Sequence, residues 1–102
     1  MAIGIWTPIV LSGVQVTFPD LLNNFTNKLK STALVAGTHM RFTNMSCHPV
    51  YIHTTAPADD IAGLKGNPVT AENCIVMPRV SPVYLYSPYD NTTVIVDVGT
   101  MT

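Results

Sequence analysis

The chain is written in short runs of alternating side chains, and proline, glycine or asparagine punctuates the stretches between them. Val14, Val16 and Phe18 alternate with Gln15 and Thr17, Met40 and Phe42 with Arg41 and Thr43, and Val50 and Ile52 with Tyr51 and His53. Thr93 to Val98 repeats the pattern, with Val94, Val96 and Val98 on one side. A period of two turns one face of a strand to a core and the other to solvent. Runs this short, bounded by turn residues, predict a mainly β fold: a small antiparallel β-sandwich or barrel with an extended N-terminal arm and room for one short helix. At 102 residues the chain has length for one domain.

Residues 1–18 read as the extended arm or edge strand, since the apolar stretch 3–11 is broken by Gly4 and Pro8. Residues 19–102 read as a single β-rich domain. Pro19-Asp20 is a helix start signal, and Leu22, Phe25 and Leu29 fall at i, i+3 and i+7. Together they predict a short amphipathic helix over 20–30, against the poor helix formers Asn23, Asn24, Thr26 and Asn27. Strands at 38–44 and 50–53, joined by a turn at 44–49, are expected to form an antiparallel pair. Residues 54–73 contain Pro57, Gly63, Gly66 and Pro68 and lack alternation, so they read as a long loop with one helical turn at Asp59–Leu64. Loops of this length in a small domain are usually functional or in contact with something. Short strands at 75–77 and 83–86, bracketed by Pro78, Pro82 and Pro88, complete the set.

Charge is scarce. Only 11% of residues are charged, where about 25% is ordinary for a soluble domain. The surface is instead expected to carry Thr, Asn, Ser and Pro. Covering a hydroxyl costs far less than covering an unpaired charge, so such a skin suits a protein largely enclosed by partners. A monomer with a polar, uncharged skin is the other reading. A net charge of −1 supplies no basic stripe for nucleic acid. No apolar run approaches the ~20 residues of a membrane-spanning helix. The N-terminal residues lack the basic start of a signal peptide, which leads to the expectation of a protein made and assembled in a cytosol, with Cys47 and Cys74 as free thiols. The N-x-Ser/Thr matches at Asn24, Asn44 and Asn91 carry no weight in that setting.

The catalytic and metal-binding options are thin. His39, His48 and His53 are the natural candidates, but Cys47-His48 with His53 lacks the spacing of a zinc site. The adjacent Cys47 and His48 are poorly placed to act as nucleophile and base, with no orienting acid or amide marked out. Asp59-Asp60 reads as the acidic start of a helical turn more readily than as a carboxylate pair. No phosphate-binding, dinucleotide-binding or nucleophile-elbow motif occurs. The expectation is a protein that is not an enzyme and holds no cofactor or metal.

Arg41-Phe-Thr-Asn44, Pro49-Val-Tyr-Ile52, a small-residue loop, Ile75-Val-Met-Pro78, Pro82-Val-Tyr-Leu85 and Thr93-Val-Ile-Val96 follow one another across residues 38–98. This succession resembles small bacteriophage virion structural proteins, the β-sandwich decoration, cement or fibre-base components of phage particles. The resemblance implies a capsid-associated role in many copies as a homo-oligomer, with the major capsid protein or other virion proteins as partners, in a virion assembled in the host cytoplasm. It does not single out contact residues. Those come from the residues themselves: Ile5, Trp6 and Ile9 on the arm, Leu64 in the long loop, and Tyr51, Tyr84, Tyr86 and Tyr89, placed opposite the aliphatic faces of their strands or just beyond them. Trp6 reads equally as an anchor on a neighbour or as a plug for its own core. Outward tyrosines also fit a carbohydrate- or receptor-binding module of a tail or fibre, the alternative function.

Overall fold

The computed structural model of the chain describes residues 5–9, 14–20, 24–34 and 36–101. In chain order the elements are β1 (Trp6–Pro8), β2 (Val14–Thr17), α1 (Phe25–Lys28), β3 (Leu29–Thr32), β4 (His39–Asn44), β5 (Val50–His53), α2 (Asp60–Gly63), β6 (Asn67–Val69), β7 (Cys74–Pro78), β8 (Val83–Tyr86) and β9 (Thr93–Met101). Every strand pairing is antiparallel. One sheet runs β1-β9-β4-β7, with β2 also on β9, and the other runs β3-β8-β5-β6. The fold is a small β-sandwich.

Alternation does what the sequence asks of it. Met40, Phe42 and Asn44 of β4 and Val94, Val96 and Val98 of β9 turn inward from the first sheet. Val50, Ile52, Val69, Val83 and Leu85 meet them from the second, and Phe18 and Leu34 close the ends. These side chains are buried together, so the hydrophobic contribution comes from one shared core between the sheets.

The N-terminal segment is an edge of the sheet. Trp6–Pro8 pairs with Gly99–Met101, and Val14–Thr17 pairs with Thr93–Val96, so β9 is flanked on one side by two short strands in succession. Residues 3, 4, 10 and 11 of the predicted apolar stretch lie outside the described residues, as does Leu22 of the predicted helix. That helix shrinks to the single turn of α1, capped by the Asn24 side chain on the Asn27 amide, and Leu29 is already extended and paired with Tyr86. With Asn and Thr filling the turn, propensity is too weak to hold a helix against a sheet edge that offers ladder bonds.

Two further expectations change. The strands at 39–44 and 50–53 are not a pair: β4 belongs to the first sheet and β5 to the second. The stretch 54–73 is not all loop, because Asn67–Val69 pairs with Val50–Ile52. Its helical turn does form, capped by the Asp59 carboxylate on the Ala62 amide at 2.8 Å.

The crossing from β4 to β5 is built on Asn44, which is almost wholly buried. Its Nδ2 donates to the carbonyls of His48 (2.7 Å) and Val69 (2.9 Å), and its Oδ1 accepts from the Ser46 amide and hydroxyl. The amide thus closes the turn and reaches the opposite sheet. Asn44→Ala should destabilise the fold by about 1–3 kcal/mol, because it leaves these partners orphaned. A urea-unfolding midpoint unchanged from the parent chain would contradict this.

Candidate interaction surfaces

The outer face of the β3-β8-β5-β6 sheet carries a second layer. Tyr86 lies opposite Tyr51 on that face, yet it is only 1% exposed. The α2 turn covers it: a Cβ on Gly63 would come within 2.7 Å of the Tyr86 ring, so only glycine lets the turn lie this close. Phe25 of α1 packs from another side, with ring centroids 6.0 Å apart. His53 Nε2 donates to the Gly63 carbonyl at 2.8 Å and ties the same turn to β5.

Beneath this turn the Tyr86 hydroxyl donates to Asp60 Oδ1 at 2.7 Å, and Lys28 Nζ meets the same oxygen at 3.3 Å. The Tyr86 hydrogen bond, followed by Lys28, holds the Asp60 carboxyl below its ordinary range despite some desolvation. Burial first, then Asp60, pushes the Tyr86 phenol well above its own. The group ties α1, α2 and β8 together.

On the outer face of the other sheet, the Arg41 guanidinium lies 4.9 Å from the Trp6 ring centroid and pairs with Asp97 at 2.8 Å. Cation–π contact of this kind favours the indole lying flat on the sheet. Gly99 makes room for it, since a Cβ there would press on Trp6 and on the Thr7 carbonyl. The Trp6 Nε1 proton is shielded from solvent and has no acceptor among the described residues.

The predicted contact residues therefore separate. Ile5, Leu64 and Tyr89 are exposed, Trp6, Tyr51 and Tyr84 are half-buried, and Ile9 packs against the core while its amide bonds Val98. Tyr86 is withdrawn from the surface altogether, which corrects its assignment as a contact residue and removes the middle of a continuous tyrosine platform. Tyr89 stands apart from the other tyrosines, stacked on His48 with centroids 4.4 Å apart. Ile61, which sequence reading passed over, is 70% exposed, and Leu64 follows it at 49%. Their i, i+3 spacing after the Asp59 cap is the signal that marks a shared face.

Among the described residues no three His, Cys, Asp or Glu side chains gather as a metal site, and Cys47 and Cys74 are both exposed thiols. No helix among them is long and apolar enough to cross a membrane. No protein-family model, curated protein or solved structure matches the chain.

Two outcomes follow from the Tyr86 layer. Gly63→Ala should cost about 1–3 kcal/mol through overpacking against the ring, read as a lowered urea midpoint. The Asp60 carboxyl titrates lower in the folded than in the unfolded chain, so its contribution is full above the unfolded value and lost as pH falls through the folded one. The Tyr86 phenol titrates higher when folded, so its contribution is full below about pH 10 and lost as pH rises through the folded value. Tyr86→Phe should flatten both limbs of the stability–pH curve, measured by thermal unfolding; limbs as steep as the parent's would refute the coupling.

Proposed function

We propose that this chain is a non-enzymatic virion structural protein, a capsid decoration or cement subunit that binds the capsid surface and neighbouring copies. The observation that carries the reading is the make-up of the exposed surface. Ile5, Met45, Ile61, Leu64 and Tyr89 stand exposed, while only two ion pairs occur among the described residues. Ile61 and Leu64 project from a turn braced against the sheet by Gly63, Tyr86 and His53, so their presentation is pre-organised and little ordering entropy is lost on contact. Hydroxyl and amide groups fill much of the remaining skin and cost little to cover.

Many copies on a repeating lattice would turn modest single contacts into firm attachment through effective concentration. The test is co-sedimentation of the purified chain with empty capsids of the virus that encodes it. Pelleting that saturates at a fixed copy number per capsid subunit is expected, and a chain that stays in the supernatant would overturn the reading. Replacing Ile61 and Leu64 together by Asp should weaken that binding by about tenfold or more, the scale of an interface anchor, without lowering the unfolding temperature.

A further inference from the structure

Among the described residues the two sheets have four edges, and three of them are guarded. The β3 edge carries Lys30, the β6 edge is three residues long with Pro68 at its centre, and the β1/β2 edge is split into two short pieces with Pro8 in the first. Charge, proline and short length are the usual guards against strand addition. The β7 edge has five residues, Cys74-Ile-Val-Met-Pro78, no charge, and a proline only at its end. Among the described residues nothing pairs with its far side, and Cys74, Val76 and Pro78 are exposed.

The hydrogen-bond phase of this strand is fixed by its flanks. The Asn44 amide bonds the Asn73 carbonyl at 2.9 Å, and the Arg79 amide bonds the Thr38 carbonyl at 3.1 Å. Bonded pairs in an antiparallel ladder recur at every second residue, so Ile75 and Met77 are the positions that bond β4. Cys74, Val76 and Pro78 consequently direct their main-chain groups away from the sheet. The free donors are the amides of Cys74 and Val76, and the free acceptors are the carbonyls of Cys74, Val76 and Pro78.

We propose that β7 pairs antiparallel with β7 of a second copy about a two-fold axis through Val76. In that register the two Val76 residues exchange both bonds, and each Cys74 amide donates to the Pro78 carbonyl of the other copy. Every outward donor of the strand is used, and the proline's missing amide costs only the reciprocal bonds at the two ends. The strand itself carries no charged residue, so no like charges meet across the axis. Strand addition to an exposed edge is an established mode of recognition, and an isologous two-fold closes it into a dimer.

The pairing rests on the packing role proposed above and names its hydrogen-bonding surface. Its failure would still leave capsid binding to be judged by co-sedimentation, because this test uses the isolated full chain. Sedimentation equilibrium over a concentration series should show a monomer–dimer equilibrium. Hydrogen exchange should show the Val76 amide slowing as concentration rises, while the Ile75 amide, already bonded to β4, stays protected throughout. Val76→Pro removes an amide that makes no bond within the sheet, and should weaken dimerisation at least tenfold with the fold retained. Val76→Lys, which sets two like charges across the axis, should do the same and serves if the proline variant misfolds. A chain that is monomeric at every concentration, or a dimer whose Val76 amide exchanges freely, would overturn the proposal, as would a dimer that neither variant weakens.

Discussion

Asn44 has all four hydrogen-bonding positions of its side-chain amide filled, two donors to carbonyls and two acceptor sites to Ser46. It sits where β4 ends in one sheet and the chain must turn into the other. A buried amide with any position empty would cost more than it contributes, so the turn 44–49 and the neighbouring Val69 carbonyl are fixed together or not at all. Because β5 starts from that turn and β6 carries Val69, this side chain fixes the second sheet against the first at this end. At the opposite end Arg79 performs a related task. Its Nε and a terminal guanidinium nitrogen bond the carbonyls of Gly37 and Leu34, and Ser81 takes the Leu34 amide, so the crossings from β3 to β4 and from β7 to β8 are joined. The apolar core supplies the driving force for collapse, but it has no direction. The polar ties at the two ends decide which strands face which.

Outside that core, the second layer over the β3-β8-β5-β6 sheet depends on an absence of atoms. Gly63 allows α2 to lie on the Tyr86 ring, and the turn's Asp60 then meets the phenol and Lys28. A four-residue helix has no stability of its own. Its Asp59 cap, the His53 bond to Gly63 and the Tyr86 contact replace the cooperativity that length would give. The turn is consequently braced so as to present Ile61 and Leu64 in one orientation, which links local packing to the proposed contact role.

The strands were legible because their signal is local. Period two in β4, β5, β8 and β9 predicts burial almost residue by residue, and the Asp59 cap announces α2. Which strand pairs with which was not legible. The short turn at 44–49 looks like a hairpin connection, and only the Asn44 network, formed with a carbonyl 25 residues away, shows that it carries the chain to the other sheet. Tyr86 fails for a similar reason. Alternation correctly turned it to the outer face, but nothing in β8 reveals that a turn some twenty residues earlier will cover that face. The β6 strand hides because proline occupies the middle of its three residues, which periodicity reads as loop. The exposure of Ile5, Leu64 and Tyr89 was legible because each lies on a segment whose placement is local.

Scarcity of charge cuts two ways for a protein of this kind. It makes the surface cheap to cover, and it removes the usual defence of sheet edges against other strands. A chain with 5 basic and 6 acidic residues has few guards to place, so their positions carry meaning. Lys30 falls on β3 and a proline interrupts both β6 and β1, while Arg41 and Asp97 are spent on the broad face beneath Trp6. The long uncharged edge at β7 is therefore not explained by a general shortage, since the same chain guards two of its other edges with proline, which costs nothing in charge. Pro78 shows the point most directly: one position further inward it would have replaced an amide that bonds β4, and two further it would have blocked the outward face. Where it stands, it terminates the strand and leaves the donors of Cys74 and Val76 open.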